Sequence, residues 1–306
     1  MSKVDKLTTG ITSGTSQNWT NFIAQDQGFF QNEGLDHTYV SMKDMREGME
    51  QLTQGKVPIV TAMADTPILE IEKGANIRII ASVDRAGFGH IVSSPEYKTF
   101  DQLRGKSVAV IDPQSGSTVI LREILRKNGL TDADYTVKHV GGTPRRYESL
   151  QHGETAAAFL SPPYDFHAEA AGYNLLADYA EYFPSYPLSI NVNVDFAKEN
   201  PELVMKYLKA MVNASKWIYD EKNREAAIAV LERNIDVSRH YAEKTYEYVI
   251  RKIKGISPDC TISITDLRDL LSVLVRAGLL KKESAAGAAK FLDLTFIEKI
   301  GKTGNS

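Results

Sequence analysis

The sequence predicts an α/β protein built as two successive α/β units followed by a helical tail. Three observations predict it. Apolar runs of strand length alternate with stretches of helical spacing through the first two thirds of the chain. The pattern restarts after residues 90–94. From Pro201 onward the strand-like runs stop and helical spacing continues. A length of 306 residues fits two domains or one large α/β unit.

Residues 7–12 read as a short strand, followed by the polar loop 13–18. A helix starts at about Trp19, with Phe22, Ile23, Phe29 and Phe30 on or near one face and Gly34 as its stop. Residues 35–40 read as a second strand. Met45, Met49 and Leu52 at helical spacing, ended by Gly55, make the next helix. Residues 57–63 form a continuous apolar strand. Asp65-Thr66-Pro67 then opens a helix, with Asp65 as N-cap; Pro67 is tolerated in the first turn because its missing N–H would have no partner there. Residues 77–83 are another buried strand. This βαβαβ order calls for a parallel sheet with helices on both faces.

The second unit repeats the architecture without repeating the sequence. Residues 100–105 read as a short helix or turn, 107–111 as a strand, 112–116 as a loop and 117–128 as a helix. A strand at 135–140, a helix at 145–152 stopped by Gly153, and a strand at 155–160 ending in Ser161-Pro162-Pro163 complete it. The tail reads as helices at 201–219, 223–233, 238–254 and 265–277, a set expected to cover one of the two domains.

Composition excludes several functions. Lys plus Arg is 36 and Asp plus Glu is 39, a net charge of -3, so there is no concentrated basic field for nucleic acid. No run reaches the ~18 apolar residues of a membrane span. The single cysteine, Cys260, rules out an internal disulfide and a cysteine-rich metal site and reads as a bland thiol. The six histidines show no metal-ligand spacing, and G-x-S-x-G, H-E-x-x-H, G-x-x-x-x-G-K-[ST] and G-x-G-x-x-G are absent. No catalytic residue, metal or cofactor is therefore assigned. Residues 1–10 are polar and carry no apolar leader segment. The expected location is periplasmic or extracytoplasmic if a leader was removed, and cytoplasmic if Met1 is the native start.

In open α/β sheets ligands bind beyond the carboxyl ends of the strands. That rule selects four loops: 13–19, 63–66, 112–118 and 161–164. The first and third are rich in Gly, Ser and Thr and run into helices, whose N-termini favour anions. Candidate ligand-binding residues are Ser16, Gln17, Asn18, Trp19, Met63, Asp65 and Thr66 from the first unit. From the second they are Ser115, Gly116, Ser117, Thr118, Ser161, Pro162 and Tyr164, with Phe88 and His90 at the crossing between units. Each has a plainer reading. Serines and threonines before helices are ordinary caps. Trp19 is either a stacking wall or the first core residue of its helix, and His90 is more simply structural. If Asp65 faces the cleft as well as capping, it repels a simple anion and favours an amine or ring N–H donor. Arg145 and Arg146 open a helix, where the dipole disfavours a cation; either a carboxylate partner or an anionic ligand would answer that.

These loops come with a resemblance. The segment 23–30, with Gly28-Phe29-Phe30, followed by Glu33-Gly34-Leu35, is similar to A-x-x-x-G-F-F-x-x-x-G-L. Leu52-Thr53-Gln54-Gly55-Lys56-Val57 is similar to L-x-x-G-K-V-D, with Pro58 in place of Asp. Leu103-Arg104-Gly105-Lys106-Ser107-Val108-Ala109-Val110 is similar to L-K-G-K-x-V-A-V, Gly153-Glu154-Thr155-Ala156-Ala157 replaces G-x-x-D-A, and Asn200-Pro201-Glu202-Leu203-Val204 opens the tail. Over roughly 5–235 the chain resembles solute-binding proteins of ABC transporters, in the NMT1/THI5-like branch that includes nitrate-, sulfonate- and taurine-binding proteins and fungal pyrimidine-precursor synthases.

The resemblance implies a two-lobed, periplasmic-binding-protein-like (type 2) fold with a C-terminal helical tail. Lobe one would comprise 1–90 plus 191–306 and lobe two 91–190, joined by crossing strands near 88–94 and 188–194. It implies a monomer that captures a small polar or anionic organic ligand (sulfonate, carboxylate, nitrate or pyrimidine-like) by hinge closure and meets an ABC permease. The alternative is a cytosolic enzyme or ligand sensor reusing the cleft. Two departures bear on enzymatic chemistry. The pyrimidine synthases carry a cysteine cluster and a histidine after the third strand, where this chain has Asp65. Sulfinate-cleaving enzymes carry a cysteine after the first strand, and 13–19 contains none.

Overall fold

The computed structural model describes residues 4–11, 15–42, 44–112 and 115–303. Ten strands occur among them: β1 (Asp5–Ile11), β2 (Leu35–Ser41), β3 (Ile59–Met63), β4 (Ile77–Asp84), β5 (His90–Ser93), β6 (Lys106–Val110), β7 (Tyr135–His139), β8 (Ala157–Leu160), β9 (Asn174–Asp178) and β10 (Leu188–Asn193). They form two five-stranded sheets, ordered β2-β1-β3-β10-β4 and β7-β6-β8-β5-β9.

Neither sheet is wholly parallel, against expectation. β1 pairs parallel with β2 and β3, but β10 runs antiparallel between β3 and β4. In the second sheet β5 runs antiparallel between β8 and β9. Each reversed strand is the first one after the chain changes sheet. Both are buried throughout, so their apolar runs look like those of a parallel core strand and carry no sign of direction. The chain passes between sheets at 85–89 and 179–187, so the crossings precede the expected 88–94 and 188–194, which are mostly strand within one sheet. β9 has only its last two residues buried and escapes a hydrophobicity reading.

Local chemistry explains most helix boundaries. The helix expected from Trp19 to Gly34 is broken: Trp19–Asp26 ends, Gly28 takes a left-handed φ of 73°, and Phe29–Asn32 makes a separate turn. Met45–Thr53 is capped by Asp44, whose carboxylate accepts from Glu47 N at 2.9 Å. Asp65 is a correction. The helix Asp65–Glu72 has Ala64 at the cap position, and Asp65 is its first helical residue.

The tail comprises Pro201–Trp217, Arg224–Ile235, Arg239–Tyr246 continuing as the π-helical Glu247–Lys252, Ile264–Arg276, and the short Lys282–Ala286 and Thr295–Thr303. It does not cover one unit only. Leu267, Leu270, Leu271 and Leu274 share one apolar cluster with Ile68 and Ile71 beside the first sheet and with Ile120 and Ile124 beside the second. Arg276 Nη2 donates to Glu123 Oε1 at 3.1 Å on the second-sheet helix Gly116–Lys127. The helix 264–276 is thus a wedge between the units.

Trp19 is a core residue. It is fully buried, its indole N–H donates to the Ala227 carbonyl at 2.9 Å, and its ring meets Tyr246 edge-on at 6.1 Å. Trp19→Phe should destabilise the protein by about 1–3 kcal/mol in chemical denaturation, from lost area and an orphaned carbonyl, without changing ligand affinity.

Candidate functional site

The loops after β1, β3, β6 and β8 meet between the sheets. Ser16 reaches across twice: its backbone N–H and its hydroxyl both donate to the Pro162 carbonyl, at 3.4 and 2.8 Å. Gln17 Nε2 lies 3.9 Å from Met63 Sδ on the first-sheet side. The second crossing contact is tighter. A Cβ added to Gly116 would lie 2.2 Å from Asp65 Cβ and 2.5 Å from its Cγ, so only a residue without a side chain fits.

Asp65 is 2% exposed. Its carboxylate accepts from the Tyr186 hydroxyl at 2.5 Å, from the Thr66 hydroxyl at 3.2 Å, and from the backbone N–H of Gly116 at the start of the helix Gly116–Lys127. Burial pushes its pKa up to about 6, against the pull of those hydrogen bonds. Its carboxylate holds Thr66 of its own helix as well as Gly116 across the lobes, and the cap position belongs to Ala64.

On the second-sheet side the capping reading holds for Ser115, and the Thr118 hydroxyl braces the same turn. Ser115 Oγ accepts from Thr118 N at 3.3 Å and donates to the Asp112 carbonyl at 2.9 Å, and Thr118 Oγ1 donates to the same carbonyl at 2.6 Å. Ser117 Oγ lies 3.0 Å from Ser115 Oγ, and the Ser117 carbonyl accepts from the Tyr179 hydroxyl at 3.3 Å. Burial pushes the Tyr179 phenol well up, with Asp65 adding to that rise and Arg146 opposing it.

Arg145 is exposed, whereas Arg146 is 6% exposed. Arg146 sits near the start of the helix Thr143–Gln151, where Nη2 donates to Thr143 Oγ1 at 3.0 Å and the guanidinium lies 5.8 Å from the centre of the Phe159 ring. Its Nε has no hydrogen-bond partner, and no acidic side chain among the described residues lies within salt-bridge distance. Burial pushes its pKa down to about 10, which leaves it charged at neutral pH. Phe159, Tyr179 and Tyr186 escape the loop rule, because they lie on a strand and in the 179–187 crossing. The one available signal is the tyrosine-rich composition of that crossing.

Other candidates go elsewhere. Trp19 is core, as described. Phe88 is 1% exposed and packs in the apolar cluster beside the tail. His90 Nδ1 is 2.7 Å from Asp165 Oδ2, and its Nε2 is 4.0 Å from Asp178 Oδ2. Asp178 in turn accepts from Tyr248 at 2.6 Å and Lys252 at 3.1 Å, so this cluster ties the tail to the start of β5. Asn18 and Ser161 are buried, and Tyr164 is half-buried against Tyr147 at 6.0 Å. Ser13 and Gly14 of the first loop and Pro113 and Gln114 of the third lie outside the described residues. Cys260 is buried 3.3 Å from Ser215 Oγ, and burial pushes its thiol up to about 12, which removes it as a nucleophile. Among the described residues no group of three or more His, Cys, Asp or Glu is placed to hold a metal ion, and no helix is long and apolar enough to cross a membrane. Two open hollows of about 290 and 300 Å³ lie apart from the four loops, one beside Asp84 and Ser257 and one beside Tyr97 and Thr136.

A family model described as NMT1/THI5 like matches residues 16–225. The chain belongs to that family. No curated protein sequence matches it. Among solved structures, the nitrate-binding protein NrtA of Synechocystis PCC 6803 superposes with a TM-score of 0.83 at 14% identity, over 98% of this chain and 89% of that one. A protein of Bordetella bronchiseptica RB50 gives 0.81 at 22% identity over 98% of both chains. The alkanesulfonate-binding protein SsuA of Xanthomonas axonopodis pv. citri, bound to MOPS, gives 0.76 at 17% identity over 92% of this chain and 96% of that one. At these identities the likeness gives the fold: two-lobed, periplasmic-binding-protein-like, type 2.

Two predictions follow from the Asp65–Gly116 contact. Gly116→Ala forces the two lobes apart there, at about 1–3 kcal/mol. Small-angle scattering of the ligand-free protein should give a larger radius of gyration than wild type; an unchanged radius would show that the contact tolerates a methyl group. The second concerns pH. Folded Asp65 titrates near 6 and its ordinary value is 3.8, so the folded state holds the extra proton and stability falls as pH rises from about 4 through 6. Asp65→Asn removes that loss. Calorimetry should give a Tm about 2–4 °C above wild type at pH 7.5 and no gain at pH 4.

Proposed function

We propose that the protein is a solute-binding protein: it captures a small polar or anionic organic ligand between its lobes by hinge closure and delivers it to an ABC permease. The observation that carries this reading is the paired contact across the lobes, Ser16 to Pro162 and Asp65 to Gly116, made by loops at the carboxyl ends of strands. The lobes follow the two sheets, 1–84 plus 188–306 and 90–178, a small shift from the expected bounds at 90 and 191, and the hinge is the double crossing at 85–89 and 179–187. Two flexed segments side by side allow rigid-body closure, the usual motion for this architecture.

The structural neighbours described as binding nitrate and an alkanesulfonate support a small ligand, and a Staphylococcus aureus neighbour described as the ligand-binding component of an ABC-type import system (TM-score 0.80, 10% identity) supports a transporter partner. The nitrate-binding neighbour, described as periplasmic, supports a periplasmic or extracytoplasmic location, and the carrier is taken to act as a monomer. Delivery by closure needs no nucleophile, which accords with the inert Cys260 thiol.

A thermal-shift screen of sulfonates, aromatic carboxylates, nitrate and pyrimidines tests the reading. A true ligand at ~100 times its Kd adds about 2.7 kcal/mol to stability and raises Tm by several degrees. Small-angle scattering with that ligand should show no expansion and, from any open population, compaction. Chemical turnover of the hit would assign the cleft to an enzyme instead.

A further inference from the structure

We infer that Arg146 and Asp65 are the two poles of the ligand site and that the ligand is amphoteric: a small organic molecule with one carboxylate or sulfonate for Arg146 and at least one N–H donor for Asp65. This deepens the proposed function and rests on the cleft being the binding site.

The helix Gly116–Lys127 points its N-terminus into the cleft, which by itself would suit an anion. That position is already filled. The Asp65 carboxylate lies against Gly116 and accepts its N–H, so a simple anion would meet a negative charge where the helix would otherwise attract it. The cation left over is Arg146. A guanidinium offers five N–H donors, and here one goes to Thr143 while the buried Nε goes to nothing. A buried charge without a counter-charge is costly, and the cost is removed when an anion arrives.

The two charges belong to one place. Tyr179 donates to the Ser117 carbonyl beside Gly116, lies tilted at 4.3 Å from Phe159, over which Arg146 sits, and at 6.3 Å from Tyr186, whose hydroxyl donates to Asp65. Arg146, Tyr179 and Asp65 are all buried while the lobes touch, so a ligand reaches them only when the Asp65–Gly116 contact opens, and it then meets a positive group at one end and a carboxylate at the other. A monofunctional anion satisfies Arg146 but faces Asp65. A monofunctional amine satisfies Asp65 but leaves Arg146 unpaired.

Isothermal titration with two matched sets tests this: 3-aminopropanoate, propanoate and propylamine, and 4-aminobenzoate, benzoate and aniline. In at least one set the amphoteric member should bind at least about tenfold tighter than either partner, the difference expected from one charge-assisted hydrogen bond. Arg146→Gln should weaken that member by a similar factor while leaving the ligand-free Tm equal or higher, because an unpaired buried charge has been removed. Arg146→Lys, which keeps the charge and loses the planar fork, should fall between. An Arg146→Gln variant with a lowered ligand-free Tm and unchanged affinity makes the arginine structural and overturns the inference. Equal binding of an anion-only probe overturns it too, while leaving a binding protein in place. If neither set binds, the amphoteric assignment fails; a hit in the broader thermal-shift screen then preserves the carrier reading, and an empty screen removes both.

Discussion

A carboxylate from one lobe rests against a glycine from the other, and the geometry of the cleft is organised around that contact. Asp65 is delivered by a short turn: β3 ends at Met63, Ala64 follows, and the helix begins at Asp65. Gly116 is delivered by the Ser115 cap that starts the facing helix. The approach is too close for any Cβ. What it gains is a charge-assisted hydrogen bond at a positive helix end; what it costs is the dehydration of a carboxylate, visible in the pKa near 6. The opposed terms make the contact one that a change of ligation can tip in either direction.

The tail adds a second coupling. The helix Ile264–Arg276 buries leucines against helices of both sheets, and Tyr248 and Lys252 bind Asp178 at the end of β9, beside the crossing. A helical layer in contact with both lobes changes the mechanics of opening. Separation of the lobes must either break the Arg276–Glu123 link or slide the leucine face over Ile120 and Ile124. Apolar side chains can slide with little loss if the contact area is kept, whereas the ion pair is partly exposed and contributes little. Shear along this face fits the packing better than rupture of it.

Much of the fold was legible because local rules decide it. Gly34, Gly55 and Gly153 end their segments as read, and Met45, Met49 and Leu52 do lie on one helix. Strand direction was not legible: β5 and β10 are buried on both faces, and an apolar run has the same appearance in either orientation. The candidate site was half legible. The loops that the rule selected do meet, through Ser16 with Pro162 and Asp65 with Gly116, because strand ends are fixed by topology. The rule does not reach Tyr179 and Tyr186, which join that meeting point from the crossing, nor decide between the roles of Trp19, whose indole turns to a helix more than two hundred residues away. For Arg146 the sequence offered a salt bridge or an anion, and only the absence of an acidic neighbour among the described residues separates them.

Charge placement is what distinguishes this cleft from a generic one. A chain with net charge -3 exerts little long-range attraction on a small anion, so selectivity has to come from groups at contact. An arginine with no acidic side chain in salt-bridge reach among the described residues and a carboxylate seated on a helix N-terminus set up a field across the rings of Phe159, Tyr179 and Tyr186 between them. Such a field acts on the separation of charges within a ligand more than on its net charge. In the amphoteric site proposed above, two molecules of equal net charge would be told apart, and a molecule with none would still be held. Discrimination of that kind depends on both poles remaining dry, and the burial of Asp65 and Arg146 at 2% and 6% exposure is the condition that keeps them so.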